Sequence, residues 1–151
     1  MTWAELAQGD PELAATGERL LTHSGVGAGF LSTVRRDGGP RVHPVSPVLA
    51  GGGLWVFIVD LSWKYRDLLR DPRFALHAYP LPEGGEEFYV DGIARPEARA
   101  EVIAMVAGGR TPLPFEKLFE LTVERALWTK WEDWGTAAPW PAHRKWHARP
   151  T

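Results

Sequence analysis

The chain has 151 residues, enough for one domain that buries roughly 70% of its unfolded surface. Its 17 basic and 19 acidic residues leave a net charge of -2, which excludes a global pull toward nucleic acid or anionic lipid, so any anion site has to be local. With no cysteine there is no disulfide framework, thiolate metal site or thiol nucleophile, and the longest strongly apolar run, Leu54 to Val59, is too short to span a bilayer.

The N-terminus carries neither a basic region nor a hydrophobic signal core, so the expectation is a cytoplasmic protein with no membrane or nucleic-acid partner. Thr2-Trp3-Ala4-Glu5 has capping-box spacing, and Asp10-Pro11 offers an N-cap followed by proline at the first helical position. A helical segment is predicted over 1–25, its last helix running to about His23 and stopping at Gly25. From Gly29 the periodicity changes. "GFLSTVRR" reads as a strand, "DGG" at 37–39 as a turn, "PRVHPVSPVLA" as a second strand, and "GGG" at 51–53 as a reversal into "LWVFIVD", which together predict a three-stranded antiparallel meander. Pro44 and Pro47 cannot donate to a ladder, so the second strand is at an edge, bulged, or facing a ligand.

After Ser62 a helix of about two turns closes near Asp71-Pro72, and "RFALHAYP" forms the next strand. "FYVDGIARP" follows the "PEGGEE" turn, with a bulge suggested by Gly92. Val102, Ile103 and Val106 stand at helical spacing before Gly108-Gly109, and "FEKLFELTV" and "ERALWTKW" read as a last pair of strands. Many short strands with brief helical inserts predict a mainly β, antiparallel barrel or sandwich. Five of the eight tryptophans lie between Trp128 and Trp146, too many for a disordered tail, so residues 133–151 are expected to pack on the barrel or on a partner.

The chemistry concentrates where "LWVFIVD" runs into "LSWKYRDLLR". Ser62 can cap the helix while Lys64 points into water. Alternatively, free N–H groups at the helix start, a hydroxyl and an ammonium aimed at one point form a phosphate cradle beside a sheet face on which a flat ring could lie. Other constellations are weaker. His143 and His147 stand four apart, but Pro139, Pro141 and Pro150 crowd the segment and no carboxylate is in register, so no metal site is assigned. The tail "HRKWHARP" is one short basic run. Gly25, Gly27 and Gly29 precede the first strand, so they are not a dinucleotide loop. No hydrolase elbow or paired carboxylates stand out, and no catalytic residue is assigned.

The segments "GFLSTVRRDGGP", "RVHPVSPVLAGGGLWVFIVDLSWKYRDLLRDPRFAL" and "FYVDGIARPE" resemble the pyridoxamine 5'-phosphate oxidase-like, FMN-binding split-barrel superfamily over residues 29–97. The resemblance implies a six- to seven-stranded antiparallel split barrel that binds FMN between the subunits of a homodimer and acts as an oxidoreductase on a small molecule. It places Ser62 and Lys64 on the phosphate, and Arg41, Val42 and His43 along the flavin and ribityl chain, with Phe57 and Ile58 beside them. Arg41 and His43 are the candidates for the pyrimidine edge. Trp63 would shield the ring, as would Trp140 or Trp146 from the partner subunit, whereas Trp128 and Trp131 are assigned to packing.

The chain departs from the biosynthetic oxidases at several positions. Phe57-Ile58 stands where they have Tyr-Thr, Ser46 where they tend to have lysine, Trp63 where arginine is common, and Glu87 where glutamine is usual. These changes argue against pyridoxamine phosphate itself as substrate. Two alternatives therefore stay open: a deazaflavin-dependent reductase, and a non-catalytic flavin- or haem-binding protein.

Overall fold

Thr2 and Glu5 close a capping box in the computed structural model of the protein, which describes residues 1–148. Arg149, Pro150 and Thr151, the end of the basic tail, lie outside the described residues. The box starts α1 (Trp3–Gly9); Asp10 then accepts from the Leu13 N–H at 3.1 Å to start α2 (Pro11–Thr22), with Pro11 in its first turn. The chain leaves α2 through Gly25, whose φ of 86° suits glycine. Trp3, Leu6, Leu13, Leu20 and Leu21 form one apolar face, and it covers the inward side of the sheet in a single core with Leu31, Val56, Ile58, Leu76, Phe88 and Phe119. Trp3 meets Phe88 edge-on at 6.1 Å, and Gly17 lies directly over the Phe88 ring.

Among the described residues, eight antiparallel strands and four helices build a mainly β, split-barrel fold. The strands are β1 (Gly29–Val34), β2 (Pro40–Val45), β3 (Val48–Ala50), β4 (Gly53–Val59), β5 (Arg73–Ala78), β6 (Glu86–Glu97), β7 (Glu116–Glu132) and β8 (Trp140–His147). The two further helices are α3 (Trp63–Arg70) and α4 (Ala100–Ala107). The strand order is β2-β1-β5-β6-β7-β4-β3, with β8 added alongside β7.

The expected three-stranded meander does not form. β2 pairs only with β1, and β3 pairs with β4, so the predicted second strand is cut at Ser46-Pro47 into pieces on opposite edges of the sheet. The cause lies in Pro44 and Pro47, which have no N–H to continue a ladder. Its consequence is global: two residues can span only about 10 Å, so the sheet must roll until its edges nearly meet. They meet without pairing, and the barrel stays open along that seam.

The last two predicted strands are one. β7 runs unbroken because "VERA" at 123–126 holds no turn residue, and its residues 118–130 pair with the whole of β6. Its register shifts once, where Asp91 pairs with Arg125 and Gly92 with Val123, leaving Glu124 as the extra residue of a bulge. A Cβ on Gly92 would lie 1.9 Å from the Thr122 carbonyl oxygen, so glycine permits the close approach of β7 there. The tryptophan-rich tail is itself a strand: β8 pairs Trp140 with Glu132 through His147 with Arg125. Pro139 and Pro141 hid it, since Pro141 sits on the free outer edge, where no N–H is needed.

Adding a methyl at Gly17 should separate α2 from the sheet, because its Cβ would lie 2.3 Å from the Phe88 ring. Gly17→Ala is expected to lower stability by about 1–3 kcal/mol in urea unfolding, and Phe88→Leu in the same background should recover part of it.

Candidate functional site

β4 alternates. Leu54, Val56 and Ile58 point into the core, while Trp55, Phe57 and Val59 point out toward α4, where Trp55, Val106 and Leu118 form a second small core. Beyond Trp55 no residue of β3 remains to pair with β4, so Phe57 to Val59 border the seam. There the end of β2 (Pro44, Val45, Ser46), Val48, Phe57, Val59, Lys64 at the start of α3, and Val106, Ala107 and Arg110 beyond the seam line a cleft of about 480 Å³. Arg110 closes one side: its guanidinium lies 4.5 Å from the Phe57 ring centre and is held in a two-point pair with Glu116.

Asp67 fixes α3 against the strands. Its carboxylate, in a residue only 2% exposed, accepts from Thr33 Oγ1 at 2.9 Å, Arg41 Nε at 2.7 Å and Arg70 Nη2 at 3.0 Å. Burial alone would raise this carboxyl, but the hydrogen bonds from Arg41, Arg70 and Thr33 outweigh it and hold the group below the usual carboxylate value. Arg70 also donates to the Val34 carbonyl at 2.6 Å, so one helix face is tied to both β1 and β2.

Ser62 is the N-cap of α3. Its hydroxyl donates to the Val59 carbonyl at 2.6 Å and accepts from the Tyr65 N–H at 3.3 Å, which leaves the N–H groups of Trp63 and Lys64 without a partner within the helix. The Lys64 side chain is half-buried in the cleft, and burial alone pushes its ammonium below the usual lysine value. It forms no ion pair among the described residues. His43 shares the face of β2 that carries Arg41 and Val45. Its Nε2 is buried with no hydrogen-bond partner among the described residues. Burial, then the charges of Lys64 and Arg41, lower its imidazole below the usual histidine value against the opposing pull of Asp67, which favours the neutral ring.

Of the sequence-derived candidates, Phe57 and Lys64 line the cleft, Ser62 caps the adjoining helix end, and Arg41 and His43 stand beside Lys64 on the neighbouring strand. Trp63 sits at the mouth, with the guanidiniums of Arg41 and Arg66 5.6 and 5.1 Å from its ring centre. Three others are placed differently. The Ile58 side chain is 0% exposed in the core, because strand alternation turns it away from Phe57, so it offers the cleft only main chain. Val42 is 61% exposed on the opposite face of β2 from Arg41 and His43. Trp146 packs against the main core and over Gly9 of its own chain. It pairs with Ala126, ten residues and about 30 Å along β7 from Glu116 at the cleft. Trp140, at 71% exposure, is the free one of the pair. Trp128 packs against the core as assigned, and Trp131 packs on Trp134 with ring centres 5.9 Å apart.

Sequence reading missed Asp67, Arg110 and Glu116. Asp67 had a local signal, since an acid on the inner face of an otherwise basic helix needs a buried partner. Arg110 had none, because it reaches Phe57 only after α4 folds back.

The profile of the family described as pyridoxamine 5'-phosphate oxidase matches residues 19–129. The chain belongs to that family. No curated protein sequence matches this member of the pyridoxamine 5'-phosphate oxidase family. Solved structures of similar fold include a haem binding protein from Mycobacterium smegmatis, with TM-score 0.60 and 20% identity over 85% of this chain and 57% of that one, so the chain spans little more than half of that protein's length. HutZ, the haem storage protein from Vibrio cholerae, matches with TM-score 0.59 and 20% identity over 76% of this chain and 89% of its own. A NimC/NimA family protein from Clostridium acetobutylicum matches with TM-score 0.62 and 16% identity over 85% and 91%. At these identities the likeness is one of fold.

Two outcomes test the electrostatics. Asp67→Asn should cost about 3 kcal/mol in urea unfolding at pH 7, since it leaves buried guanidinium contacts uncompensated. Because the folded carboxyl titrates below its usual value, the parent's advantage should be complete above about pH 4 and shrink as pH falls through that lower value; equal stability at pH 7 contradicts the assignment. In NMR titration of the imidazole, His43 should titrate below free histidine, and Lys64→Met should shift its midpoint upward by removing a nearby like charge; an unmoved midpoint separates the two groups.

Proposed function

We propose that the protein binds FMN, with its phosphate at the start of α3 and its ring in the seam cleft, and works as a flavin-dependent oxidoreductase on a small molecule. The observation that carries this reading is Lys64: a half-buried, unpaired ammonium beside two free helix N–H groups, where the buried carboxylates Asp67 and Asp91 are each paired with a guanidinium. Burying an ammonium without a counter-charge is unfavourable unless an anion completes the site. The residues present suit such a group. The N–H groups of Trp63 and Lys64 and the Lys64 ammonium would hold the phosphate, and Phe57, Val45 and Val48 would provide an apolar wall that excludes water.

A bound flavin supplies hydride chemistry. The chain's own contribution is positional and electrostatic. Arg41 keeps its two terminal nitrogens free of Asp67, and His43 holds an unused Nε2, so the two would offer a positive charge and a proton donor or acceptor to the cofactor's polar edge. Ser62 acts through the helix it caps, because its hydroxyl proton is committed to Val59. Phe57-Ile58 adds no side-chain hydroxyl, which supports a substrate other than pyridoxamine phosphate. A homodimer completes the reading: a second copy across the seam would bring the partner's Trp140 over the ring, leaving each Trp146 on its own N-terminal helices.

The likeness to two haem proteins favours haem as a second reading of the same groove. A deazaflavin coenzyme would use the same phosphate site. Colour separates them: the purified protein is expected to be yellow with flavin absorption, whereas a Soret band indicates haem and a colourless protein that takes up only added deazaflavin indicates that coenzyme. Lys64→Ala should weaken FMN binding by about 1.5–3 kcal/mol with the fold intact, the range for hydrogen bonds to charged groups. Undiminished affinity for FMN in that variant removes the phosphate role.

A further inference from the structure

The two ends of the β1–β5 pair carry uncompensated charge of opposite sign. At one end, Arg35, Arg36 and Asp37 form the tip of the β1–β2 hairpin and surround one cavity with Arg41. Arg66 joins them, since its guanidinium and that of Arg41 lie against the same Trp63 ring. Arg41 is paired with Asp67, but Arg35, Arg36 and Arg66 are exposed and form no ion pair among the described residues. Even with Asp37 subtracted, this pole stays positive.

At the other end, the β5–β6 turn and the β7–β8 loop make one surface. The Trp131 N–H donates to the Gly85 carbonyl at 2.8 Å, and Trp134 covers Gly84 and Gly85. This corner exposes Glu83, Glu87, Glu132 and Asp133, and Lys130, 3.8 Å from Glu132, offsets only one of the four. The poles cannot neutralise each other within one chain. Gly29 pairs with Ala78 at the acidic end and Val34 precedes the hairpin arginines, so β1 holds the poles about 20 Å apart, beyond the ~10 Å screening length at 0.1 M salt. Between them the outward face of β1 and β2 is apolar and open. Phe30, stacked on Tyr79 with ring centres 4.5 Å apart, and Val42 are both exposed on it, because Val42 pairs with Ser32 while Leu31 and Thr33 point inward.

We propose that a second copy of the chain packs antiparallel on this face, the arginine hairpin of each copy meeting the acidic corner of the other. A two-fold axis between the poles makes both contacts at once and covers Phe30 and Val42. This rests on the homodimer in the reading above and names its surface. It also gives the partner's Trp140 a route to the cleft: Glu132 and Asp133 open the loop that ends at Trp140, so seating that loop beside Trp63 brings the partner's Trp140 to the cleft mouth.

Sedimentation equilibrium of the full chain is the test, with FMN added to a parallel set of samples. The parent should be a dimer whose dissociation constant rises at least 10-fold between low salt and 0.5 M salt. Arg35→Glu/Arg36→Glu and Glu83→Lys/Glu132→Lys should each dissociate at least 10-fold more readily than the parent, with unchanged far-UV circular dichroism because all four positions are exposed. Mixed one to one, the two variants should form a heterodimer as stable as the parent dimer, since each reversed pole then faces a complementary one. The quadruple variant, with both poles reversed, should dimerise like the parent. A monomeric parent, a dimer indifferent to either reversal, or reversed poles that fail to recombine overturns this surface. FMN absorbance in the parallel samples tests the flavin reading separately: a dimer that follows these outcomes but takes up no FMN keeps the surface and overturns the flavin reading, and a monomeric parent that binds FMN does the reverse.

Discussion

The site depends on a single buried carboxylate. Asp67 sits on a helix of eight residues, too short to hold its shape or position by itself. By accepting from Thr33 on β1, Arg41 on β2 and Arg70 on its own helix, it pins the helix start against the sheet. Lys64, the free N–H groups and Trp63 are aimed by that contact. A group placed this way is oriented before any ligand arrives, and such preorganisation lowers the ordering cost of binding.

The second constraint is the proline break. Cutting one strand at Ser46-Pro47 sends its halves to opposite edges of one sheet, and the shortness of the join forces the sheet to roll. A closed barrel would have paired those edges and filled the seam. Two missing N–H groups prevent this, and the resulting gap has strand ends, a helix start and α4 around it. The opening that forms the cleft is thus a failure of hydrogen bonding in a defined place. The N-terminal helices, by contrast, serve the core alone: they cover the inward face and keep Trp146 with them.

Much of the architecture was legible from local chemistry. The capping box at Thr2, the Asp10-Pro11 start, the Gly25 exit, the short helix after Ser62 and the Gly108 stop all rest on contacts within a few residues, and all are where those contacts place them. Strand partners were less legible. Hairpin signals on both sides of β2 point to a meander, yet which strands pair with its two halves is set by which edges the rolled sheet brings together. β7 was divided and β8 overlooked for a related reason: whether a long β-rich stretch continues depends on the neighbour it pairs with, here the twelve residues of β6.

By itself, the sequence determined the antiparallel, mainly β character, the position of the helix that starts at Ser62, and the family likeness carried by residues 29–97, because propensities, caps and turn residues act over short range. Only the tertiary structure decided which side chains share the cleft. Strand alternation put Phe57 in it and Ile58 in the core, β-sheet extension carried Trp146 some 30 Å along β7, and the return of α4 brought Arg110 onto Phe57. A residue's type is written in the chain, but the direction in which it points is set by contacts between segments far apart in it.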